Sequence, residues 1–407
     1  MSRSFVISYR KCLGPVGGGR GVNYKLYLAN KRYHLINNCY HIFSDMVIEP
    51  GDTEVTYSKE SNALPNKSGL RNILSRTSIG WIVKHKMYRN RIQTYFKQLD
   101  NKYHFSADDV YVFHDVESLN EFYQLWSTYK NTILVYHQQG SLYNEWKSFN
   151  ERDLESYRVY LNRYAENAFK NCCVLAFPSN GAKESLIASE QSFSKTLNKR
   201  KTVVVYNGFT KPEETPCSDE MKTVLERLSI FQGYRFATVS ALNEAKAVER
   251  IPFYLADLKK YTPFIWVIVG TGVMSSKLRG EIIDLGLTDN VIWIDHAVPH
   301  DDILNLFINT DLYILFHKYS IFDYSTIEAM AYGNIPILTP VGGNKEVVFD
   351  NPQNGILVES IEDTKQLRNF LNGVTMEDIK NRNRDLQDKW FSELSFLQGY
   401  KNIIEQV

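Results

Sequence analysis

The residues best suited to chemistry lie in one segment, 323–348, with the sequence DYSTIEAMAYGNIPILTPVGGNKEVV. This pattern predicts a helix, a strand and a glycine turn in succession. Ser325 or Thr326 is expected to cap the helix, whose exposed N–H groups form an anion site. Glu328 then lies one turn into the helix, placed to accept hydrogen bonds from sugar or ribose hydroxyls. The alternative is that its carboxylate only complements the helix dipole.

The elements that position this segment follow a βαβ pattern in both halves of the chain, because short apolar runs alternate with longer segments of helical spacing. Near-continuous apolarity predicts strands buried on both faces, and therefore parallel sheets. Ligands bind beyond the carboxyl ends of such strands, so functional residues are expected just after each run. The predicted strands are Ser4–Ser8, Val110–His114, Thr132–His137, Val174–Pro178, Thr202–Tyr206, Phe236–Ser240, Phe264–Gly270, Val291–Ile294, Leu312–Phe316 and Ile335–Thr339.

Length and composition are those of a globular protein with two α/β domains: 407 residues, 43% hydrophobic and 23% charged. The polar, proline-bearing text after Gly208 predicts a linker. We expect an N-terminal domain over 1–210, the linker over 211–232, a C-terminal domain over 233–385, and a final helical stretch over 386–407 that packs back on the N-terminal domain.

Charge and cysteine content exclude several classes of protein. A net charge of +1 argues against a nucleic-acid-coating protein. Five cysteines, without metal-ligand spacing, predict a reduced chain in the cytoplasm and no metal site. No apolar run is long enough to span a bilayer, and no signal peptide is evident.

Residues 323–348 resemble the retaining glycosyltransferases of family 4. The match comprises Glu328–Ala331, Gly333, Pro336, Gly342–Gly343 and Glu346. The resemblance implies a GT-B fold, in which two Rossmann-like, doubly wound parallel-sheet domains face a central cleft. The family normally has another glutamate eight positions before Glu328, where this chain has Ser320; Asp323 is the nearest carboxylate and is expected to take over its contacts with the donor sugar.

The segment TVSALNEAKAVERI, residues 238–251, is similar to a second motif of that family. Lys246 falls on the family's lysine, which implies that its ammonium neutralises the donor diphosphate and stabilises the leaving group. The alternative is a solvated surface lysine. The family's arginine is replaced by Ala241, which removes a bidentate phosphate contact. Arg10, Arg20 and Arg250 are the candidates to compensate for it.

A glycine loop, GPVGGGRG, follows the first predicted strand, so that Gly17, Gly18 and Gly19 can bring backbone close to a ligand. It is not GxGxxG, which disfavours NAD and FAD. The resemblance places this loop under the donor phosphates, His137 beside the donor sugar, and His114 with Asp115 on the acceptor side. Both histidines also suit a structural role at a strand end.

Weaker similarities complete the expected donor site. The glycine turn VGTGV and the segment VIWIDHAVPHDDI resemble the family's nucleotide-binding turns. The expected catalytic residues are His137, Lys246 and Glu328. The expected donor-binding residues are Gly17, Gly18, Gly19, Gly270, Gly272, Ala297, Val298, Asp323, Tyr324, Ser325 and Thr326.

Residues 67–102 carry a local excess of positive charge, with nine basic residues and Asp100 as the one acid. Basic residues beside exposed apolar ones suit an anionic membrane surface. The alternative is a solvated helix face. The basic residues are Lys67, Arg71, Arg76, Lys84, Lys86, Arg89, Arg91, Lys97 and Lys102.

The sequence therefore predicts a cytoplasmic enzyme, with a peripheral position at the inner membrane face as one option, that transfers a hexose from a nucleotide-diphosphate sugar to a hydroxyl of a glycan. A UDP-sugar donor is favoured, with a lipid-linked acceptor in polysaccharide or cell-surface glycan assembly. Neither a cofactor nor a nucleic-acid partner is expected. The alternatives are a glycosyltransferase-like subunit that has lost catalysis and stabilises an active partner, and a sugar-nucleotide epimerase of the same fold.

Overall fold

The chain forms two compact units, one comprising Met1–Tyr206 with Phe396–Val407 and the other Asn207–Ser395. The first unit is thus built from both ends of the sequence. The computed structural model describes residues 2–14, 18–52, 55–57, 77–138, 140–150, 153–350, 353–373 and 375–407.

The first unit contains a sheet of seven strands in the order β3-β2-β1-β4-β5-β6-β7. All neighbours are parallel except β2 and β3, which are antiparallel. Strands β1, β4 and β5 are buried at every position, as expected for strands covered on both faces. The strands are β1 Ser4–Ile7, β2 Cys39–Ile42, β3 Val47–Ile48, β4 Val110–Phe113, β5 Thr132–Val135, β6 Val174–Phe177 and β7 Thr202–Val204.

The helices of the first unit connect these strands. The longest, α2, begins where the side chain of Thr77 accepts a hydrogen bond from Gly80 N and ends at His104, whose φ is 50°. The helices are α1 Gly18–Tyr33, α2 Ser78–Tyr103, α3 Val116–Leu125, α4 Leu142–Asn150, α5 Glu155–Asn171, α6 Asn180–Ser189 and α7 Ser194–Asn198, with a 3₁₀ turn at Gln191–Phe193.

The second unit contains a parallel sheet in the order β10-β9-β8-β11-β12-β13. Its most apolar strand, β9, has the sequence FIWVIV and is buried at all six positions. The strands are β8 Tyr234–Val239, β9 Phe264–Val269, β10 Val291–Ile294, β11 Leu312–Leu315, β12 Ile335–Leu338 and β13 Ile356–Leu357.

The helices of the second unit include two short ones next to the candidate site, α12 and α13. The helices are α8 Asp219–Ser229, α9 Ile251–Leu258, α10 Ser275–Asp284, α11 His300–Asn309, α12 Tyr324–Ala331, α13 Asn344–Val347, α14 Lys365–Asn372 and α15 Met376–Phe391, with 3₁₀ turns at Val248–Arg250 and Thr288–Asn290.

The last helix, α16 (Glu393–Ile404), contributes to the core of the first unit. Its side chains pack with those of α1 and of the central strands. The members from this helix are Phe396, Leu397, Tyr400, Ile403 and Ile404. In the part of the chain that the structure describes, no helix combines the length and apolarity needed to cross a membrane.

Each sheet has one point where the strand order reverses, between β1 and β4 and between β8 and β11. Loops that leave two such strands diverge to opposite faces, which opens a crevice at their carboxyl ends. The segments after β8 and β11 contain Lys246 and Asp323. The segments after β1 and β4 contain the glycine loop and His114. The fold therefore brings these predicted residues to the two reversal points.

All ten predicted strands are present, with ends that differ by up to two residues. Three strands were missed: β2, whose CYHI sequence is not an apolar run, and β3 and β13, which have two residues each.

Candidate functional site

The side chains of Lys246, His317 and Asp323 meet at the reversal point of the second sheet. Lys246 Nζ lies 2.5 Å from Asp323 Oδ1 and 3.0 Å from His317 Nε2. The Nε2 atom of His317 lies 3.6 Å from the same carboxylate oxygen. Lys246 comes from the loop after β8, whereas the other two residues follow β11. The cluster therefore ties together the two loops that diverge at this point.

Burial and charge set the protonation of this cluster. The side chain of Asp323 is 9% exposed and that of Lys246 is 28% exposed. Burial opposes the charge on Asp323, but Lys246 and His317 outweigh it and hold the pKa of the carboxyl far below its usual value. Burial, aided by the Lys246 ammonium, lowers the pKa of His317 against the opposing effect of Asp323. The cluster at neutral pH is therefore an ion pair beside an uncharged imidazole.

Hydrogen bonds from neighbouring elements fix the Asp323 carboxylate. Its Oδ2 accepts bonds from Tyr313 Oη at 3.4 Å and Thr326 Oγ1 at 3.3 Å. Asp323 itself is the residue that precedes α12 at its N-cap position. The expectation that Ser325 or Thr326 caps the helix is therefore wrong: both lie inside its first turn, because the helix begins earlier, at Tyr324.

The paired glycines after β12 explain the course of the loop that contains Ser320. Gly342 has a φ of +50°, and a Cβ there would stand 1.6 Å from the carbonyl oxygen of Ser320. A Cβ on Gly343 would stand 2.4 Å from the carbonyl oxygen of Ile321. Only glycine tolerates such approach. The 320–322 backbone is thus held against the glycine turn, just before Asp323.

A cavity of about 350 Å³ adjoins the cluster, at the carboxyl ends of β11, β12 and β13. His317 lines it, together with Arg250 and Lys318. Lys318 pairs with Glu244 at 3.2 Å. Within the described ranges, Arg250 has no ion-pair partner, and its side chain is half-buried. Its guanidinium is therefore available to an anionic ligand. The other lining residues are Tyr319, Thr339, Pro340, Val341, Val358 and Glu359.

Glu328 is buried in α12, where its Oε1 lies 3.1 Å from Nε2 of His300. His300 opens α11, and its side chain is 55% exposed. The carboxylate thus has a protein partner, and this partner can move toward solvent. A ligand hydroxyl can replace or share the contact, because a carboxylate has several acceptor positions.

The predicted nucleotide-binding turns lie in the same unit. Gly270 and Gly272 are required by packing, since a Cβ at either would stand 1.9 and 2.2 Å from the carbonyl oxygens of Ser240 and Leu242. These turns therefore pack directly on the loop that leads to Lys246. Ala297 is exposed and Val298 half-buried, at the turn before α11. Tyr324 and Ser325 are half-buried at the start of α12.

His114 and His137 lie side by side in the first unit, with ring centroids 5.0 Å apart. His114 Nδ1 donates to the carbonyl oxygen of Gly19 at 2.9 Å, which fixes the neutral tautomer and leaves Nε2 to accept from Tyr400 Oη at 3.2 Å. Burial lowers the pKa of His114 to about 4. Both of its nitrogens are engaged, so contact with an acceptor would require displacing one partner.

His137 differs from its neighbour in its hydrogen bonding. It is buried, and its Nε2 has no hydrogen-bond partner among the described residues. Burial, aided by His114, holds its pKa well below the usual value. This nitrogen is thus a neutral group with unused capacity. Burial of an unpaired polar nitrogen is costly, so the site favours a polar ligand atom.

The remaining predicted residues of the first unit lie near these histidines. A Cβ on Gly19 would stand 2.7 Å from the His114 carbonyl oxygen. Gly18 begins α1, and Gly17 lies outside the described residues. Asp115 caps α3, where its oxygens accept from Ser118 N and Tyr9 N at 2.7 and 3.0 Å. Burial, aided by Glu117, raises the pKa of Asp115.

The basic segment proves less uniform than its composition suggests. Lys67, Arg71 and Arg76 lie outside the described residues. Arg89 forms an ion pair with Glu121, which is fully buried. Lys102 pairs with Glu49 at 2.8 Å. Lys84, Lys86, Arg91 and Lys97 are exposed on α2.

The apolar residues of the same helix divide into two groups. Ile92, Phe96 and Leu99 are buried, while Ile79, Val83 and Met87 are 73%, 49% and 56% exposed. The exposed three follow a spacing of four residues and so share one side of the helix. Trp81 and Ile82 are half-buried, and Trp81 packs on Trp146 and Tyr157.

The structure thus pairs Lys246 with Asp323. It places Glu328 in α12, the helix that Asp323 precedes. Sequence reasoning missed His317 and His300. His317 stands two residues after β11, so the rule that functional residues follow strand ends indicates it. Among the residues described, no group of three or more His, Cys, Asp or Glu side chains is arranged to hold a metal ion.

Part of the chain resembles a known family of sequences. Residues 230–384 match the family described as Glycosyl transferases group 1. The match lies within the second unit and includes Lys246, His317, Asp323 and Glu328. No curated protein sequence matches the chain.

Similar solved structures cover the whole chain. Sucrose-phosphate synthase from Thermosynechococcus elongatus is 15% identical with a TM-score of 0.65, over 100% of this chain and 99% of that one. HepE from Anabaena in complex with UDP is 16% identical with a TM-score of 0.63, over 100% of both chains. The trehalose-6-phosphate synthase OtsA is 11% identical with a TM-score of 0.66, over 100% and 99%. The chain has the GT-B fold of two parallel-sheet α/β units.

Proposed function

We propose that this protein is a glycosyltransferase that moves a sugar from a nucleotide-diphosphate sugar to a hydroxyl of a glycan acceptor. The observation that carries the proposal is Arg250 in the lining of a cavity of about 350 Å³ at the carboxyl ends of β11, β12 and β13, with Lys246 in contact with His317 of the same lining. The family match over 230–384 supports it, since both cations lie within that range. Fixed cations at such a crevice suit a ligand that carries phosphates.

Arg250 is the residue that compensates for the arginine missing at Ala241. Of the three candidates it is the one in the second unit, and it lines the same cavity as His317. Its planar guanidinium can contact two phosphate oxygens at once, which a lysine cannot reproduce. Lys246 then adds a second positive charge, held in place by Asp323. Together the two cations stabilise the negative charge that develops on the leaving diphosphate.

The nucleoside is proposed to bind between the turns after β9 and β10 and the start of α12. Glu328 accepts hydrogen bonds from the ribose hydroxyls, after His300 gives up or shares its contact. The exposed Ala297 and half-buried Val298 offer backbone groups to the base. Uridine is the favoured base, and the similar HepE structure contains UDP.

The reaction is proposed to retain the configuration of the transferred hexose, as the resemblance to family 4 implies. The acceptor hydroxyl attacks the anomeric carbon while the bond to the diphosphate breaks, and the leaving phosphate oxygen takes the hydroxyl proton. No side-chain base and no metal are needed for this balance. His137 is proposed to bind the donor sugar through its unpaired Nε2.

The acceptor is proposed to be a lipid-linked glycan at the cytoplasmic face of the inner membrane, in polysaccharide or cell-surface glycan assembly. The support is the side of α2 that exposes Ile79, Val83 and Met87, with Lys84 and Lys86 close by in sequence. Apolar residues at helical spacing with flanking lysines are typical of helices that bind anionic lipid surfaces. Each lysine near such a surface contributes about 1 kcal/mol.

A second function, a glycosyltransferase-like subunit without catalysis, is favoured by one specific observation. Asp323 already neutralises Lys246, and Ala241 removes a further cation from the site. A site with less net positive charge binds a diphosphate less strongly. The two functions differ in whether Arg250 suffices for donor binding.

Calorimetric titration of the full-length protein with UDP, GDP and dTDP tests the proposal. We expect one nucleotide to bind, and Arg250→Ala to weaken it roughly tenfold or more through loss of a charge-assisted contact. Arg227→Ala is the matched control, because Arg227 is exposed in α8 of the same unit. Failure of all three nucleotides to bind contradicts the proposed enzymatic function and supports the subunit without catalysis. Binding that Arg250→Ala leaves unchanged contradicts the assigned phosphate site.

A further inference from the structure

A groove between α3 and α5 of the first unit has a lining suited to sugars. Its volume is about 260 Å³, and all nine residues that line it are asparagine, glutamine, tyrosine or arginine. Tyr160, Arg163, Tyr164, Asn167 and Asn171 recur at helical spacing along one side of α5. We call this feature the amide groove.

The floor of the amide groove is held rigid by a buried network. Glu121, fully buried, accepts hydrogen bonds from Tyr164 Oη at 2.7 Å, from Gln93 and from Arg89. The Arg89 guanidinium lies 4.6 Å from the centroid of the Tyr164 ring. Asn120 Nδ2 donates to the Tyr164 carbonyl oxygen at 2.7 Å. A preorganised floor lowers the entropic cost of binding.

The rim, in contrast, presents polar side chains without protein partners. Gln124, Arg163 and Asn167 are exposed, and none of them makes a side-chain hydrogen bond or ion pair to another described residue. An amide offers both donors and an acceptor, which matches a sugar hydroxyl that donates and accepts. Tyr160, half-buried in the same lining, offers a ring against which the C–H face of a sugar can pack.

The charge of the amide groove limits the class of ligand that it can bind. Arg89 is compensated by Glu121, whereas Arg163 is uncompensated within the described ranges. One free guanidinium among amides and tyrosines suits a carboxylate on an otherwise neutral polyol. An acyl chain finds no aliphatic side chain in the lining. We propose that the amide groove is a binding site for an acidic oligosaccharide. In this site Arg163 contacts the carboxylate of one uronic acid residue.

The choice of a glycan rests on the proposed function, since a sugar-transferring enzyme meets a growing glycan chain. The groove belongs to the first unit alone, and no residue assigned to the donor or to catalysis lines it. Binding there therefore anchors the acceptor chain at a point separate from the transfer site. It would make the enzyme prefer long acidic acceptors over short ones.

Titration of the full-length protein with tetragalacturonate, maltotetraose and inorganic phosphate tests this site. We expect tetragalacturonate to bind, maltotetraose to bind at least tenfold more weakly, and phosphate not to compete. Arg163→Gln and Asn167→Ala should each weaken tetragalacturonate binding, the former roughly tenfold, through loss of a charge-assisted contact. Both side chains are exposed, so these variants are expected to fold. Arg91→Gln, on the exposed surface of α2, is the matched control.

The outcomes separate this inference from the proposed function. If tetragalacturonate does not bind, or if neither variant weakens its binding, the amide groove is not the proposed glycan site. Equal affinity for maltotetraose overturns the role of Arg163 as a carboxylate ligand, and competition by phosphate shows an anion site in place of a glycan site. UDP titration of the same variants reports on the donor site: we expect it unchanged, and a protein that binds tetragalacturonate but no nucleotide would support the groove while contradicting the proposed enzyme.

Discussion

Lys246 and Asp323 form a pair whose two members are unequally buried, and this predicts an asymmetric response to substitution. Lys246→Met leaves the Asp323 carboxylate 9% exposed, with His317 and the hydroxyl groups of Tyr313 and Thr326 as its remaining partners among the described residues. Removing one partner of a buried pair costs about 3–5 kcal/mol. Asp323→Asn leaves an ammonium that is 28% exposed and can turn toward solvent. The loss of folding free energy from Asp323→Asn should therefore be close to that from breaking a surface ion pair, about 1 kcal/mol.

Differential scanning calorimetry of the full-length protein and its variants measures this asymmetry in the transition of the second unit. Each kcal/mol corresponds to about 2–4 °C in a domain of this size. Lys246→Met should therefore lower the transition by roughly 10 °C and Asp323→Asn by only a few degrees. The double variant should lose less than the sum of the two, because no charge is then left unpaired. Lys318→Met is the control, since its partner Glu244 is exposed.

The pairing argument would be refuted if the two single variants lowered the thermal transition equally. It would also be refuted if the double variant lowered it by the sum of the two single effects. Nucleotide binding adds an independent readout. Asp323→Asn frees the Lys246 ammonium, so UDP should bind at least as tightly as before. If Asp323 instead contacts donor hydroxyls, as the sequence suggests, Asp323→Asn should weaken a UDP-sugar while leaving UDP alone unaffected. The contact with Asp323 thus predicts that removal of Lys246 lowers stability as well as turnover.

Three further predictions follow from other parts of the chain. Gly342→Ala forces a Cβ to within 1.6 Å of a carbonyl oxygen at a φ of +50°, so it should lower the thermal transition of the second unit and weaken UDP binding; an unchanged transition contradicts the assigned turn. His114 has a pKa of about 4 when folded and about 6.5 when unfolded, so its own contribution to stability should fall by about 3 kcal/mol as pH drops through that window, and the stability difference from His114→Gln should shrink between pH 7 and 4.5. Replacing Lys84, Lys86 and Arg91 together by glutamine should abolish sedimentation with anionic vesicles at low salt without altering UDP binding, whereas equal sedimentation with neutral vesicles would exclude charge as the cause.

The strands and their order of appearance could be predicted because buried parallel strands require apolar, β-branched runs, as in the FIWVIV strand β9. The strand β2 could not, because CYHI owes its burial to neighbouring strands and to the contact between His41 Nδ1 and Asn23 Oδ1. A local sequence pattern carries no information about such distant partners. The same applies to Arg89, which appears in the sequence as one more basic residue and in the structure as the partner of the buried Glu121.

The candidate site was predictable in position and only partly in detail. The family resemblance and the strand-end rule both indicate Lys246 and the start of α12. The contact between Lys246 and Asp323 was not foreseen, because 77 residues separate them and only the packing of two loops brings them together. The helix start was misplaced because Asp and Ser are both favoured caps, and Asp323 stands ahead of Ser325.

The departures from the family pattern are connected through charge. The glycosyltransferase family that the sequence resembles has a glutamate where this chain has Ser320, and the nearby carboxylate of Asp323 pairs with Lys246. Ala241 removes a cation from the neighbouring loop. Both changes reduce the positive charge offered to a diphosphate, and among the described residues that line the cavity Arg250 is a cation without an ion-pair partner, with the exposed Glu359 in the same lining. Donor affinity in this chain should therefore depend more on Arg250 than on Lys246. The same residue bears on the choice between catalyst and binding subunit, since the neighbouring cations described at the site, Lys246 and Lys318, are paired with Asp323 and Glu244.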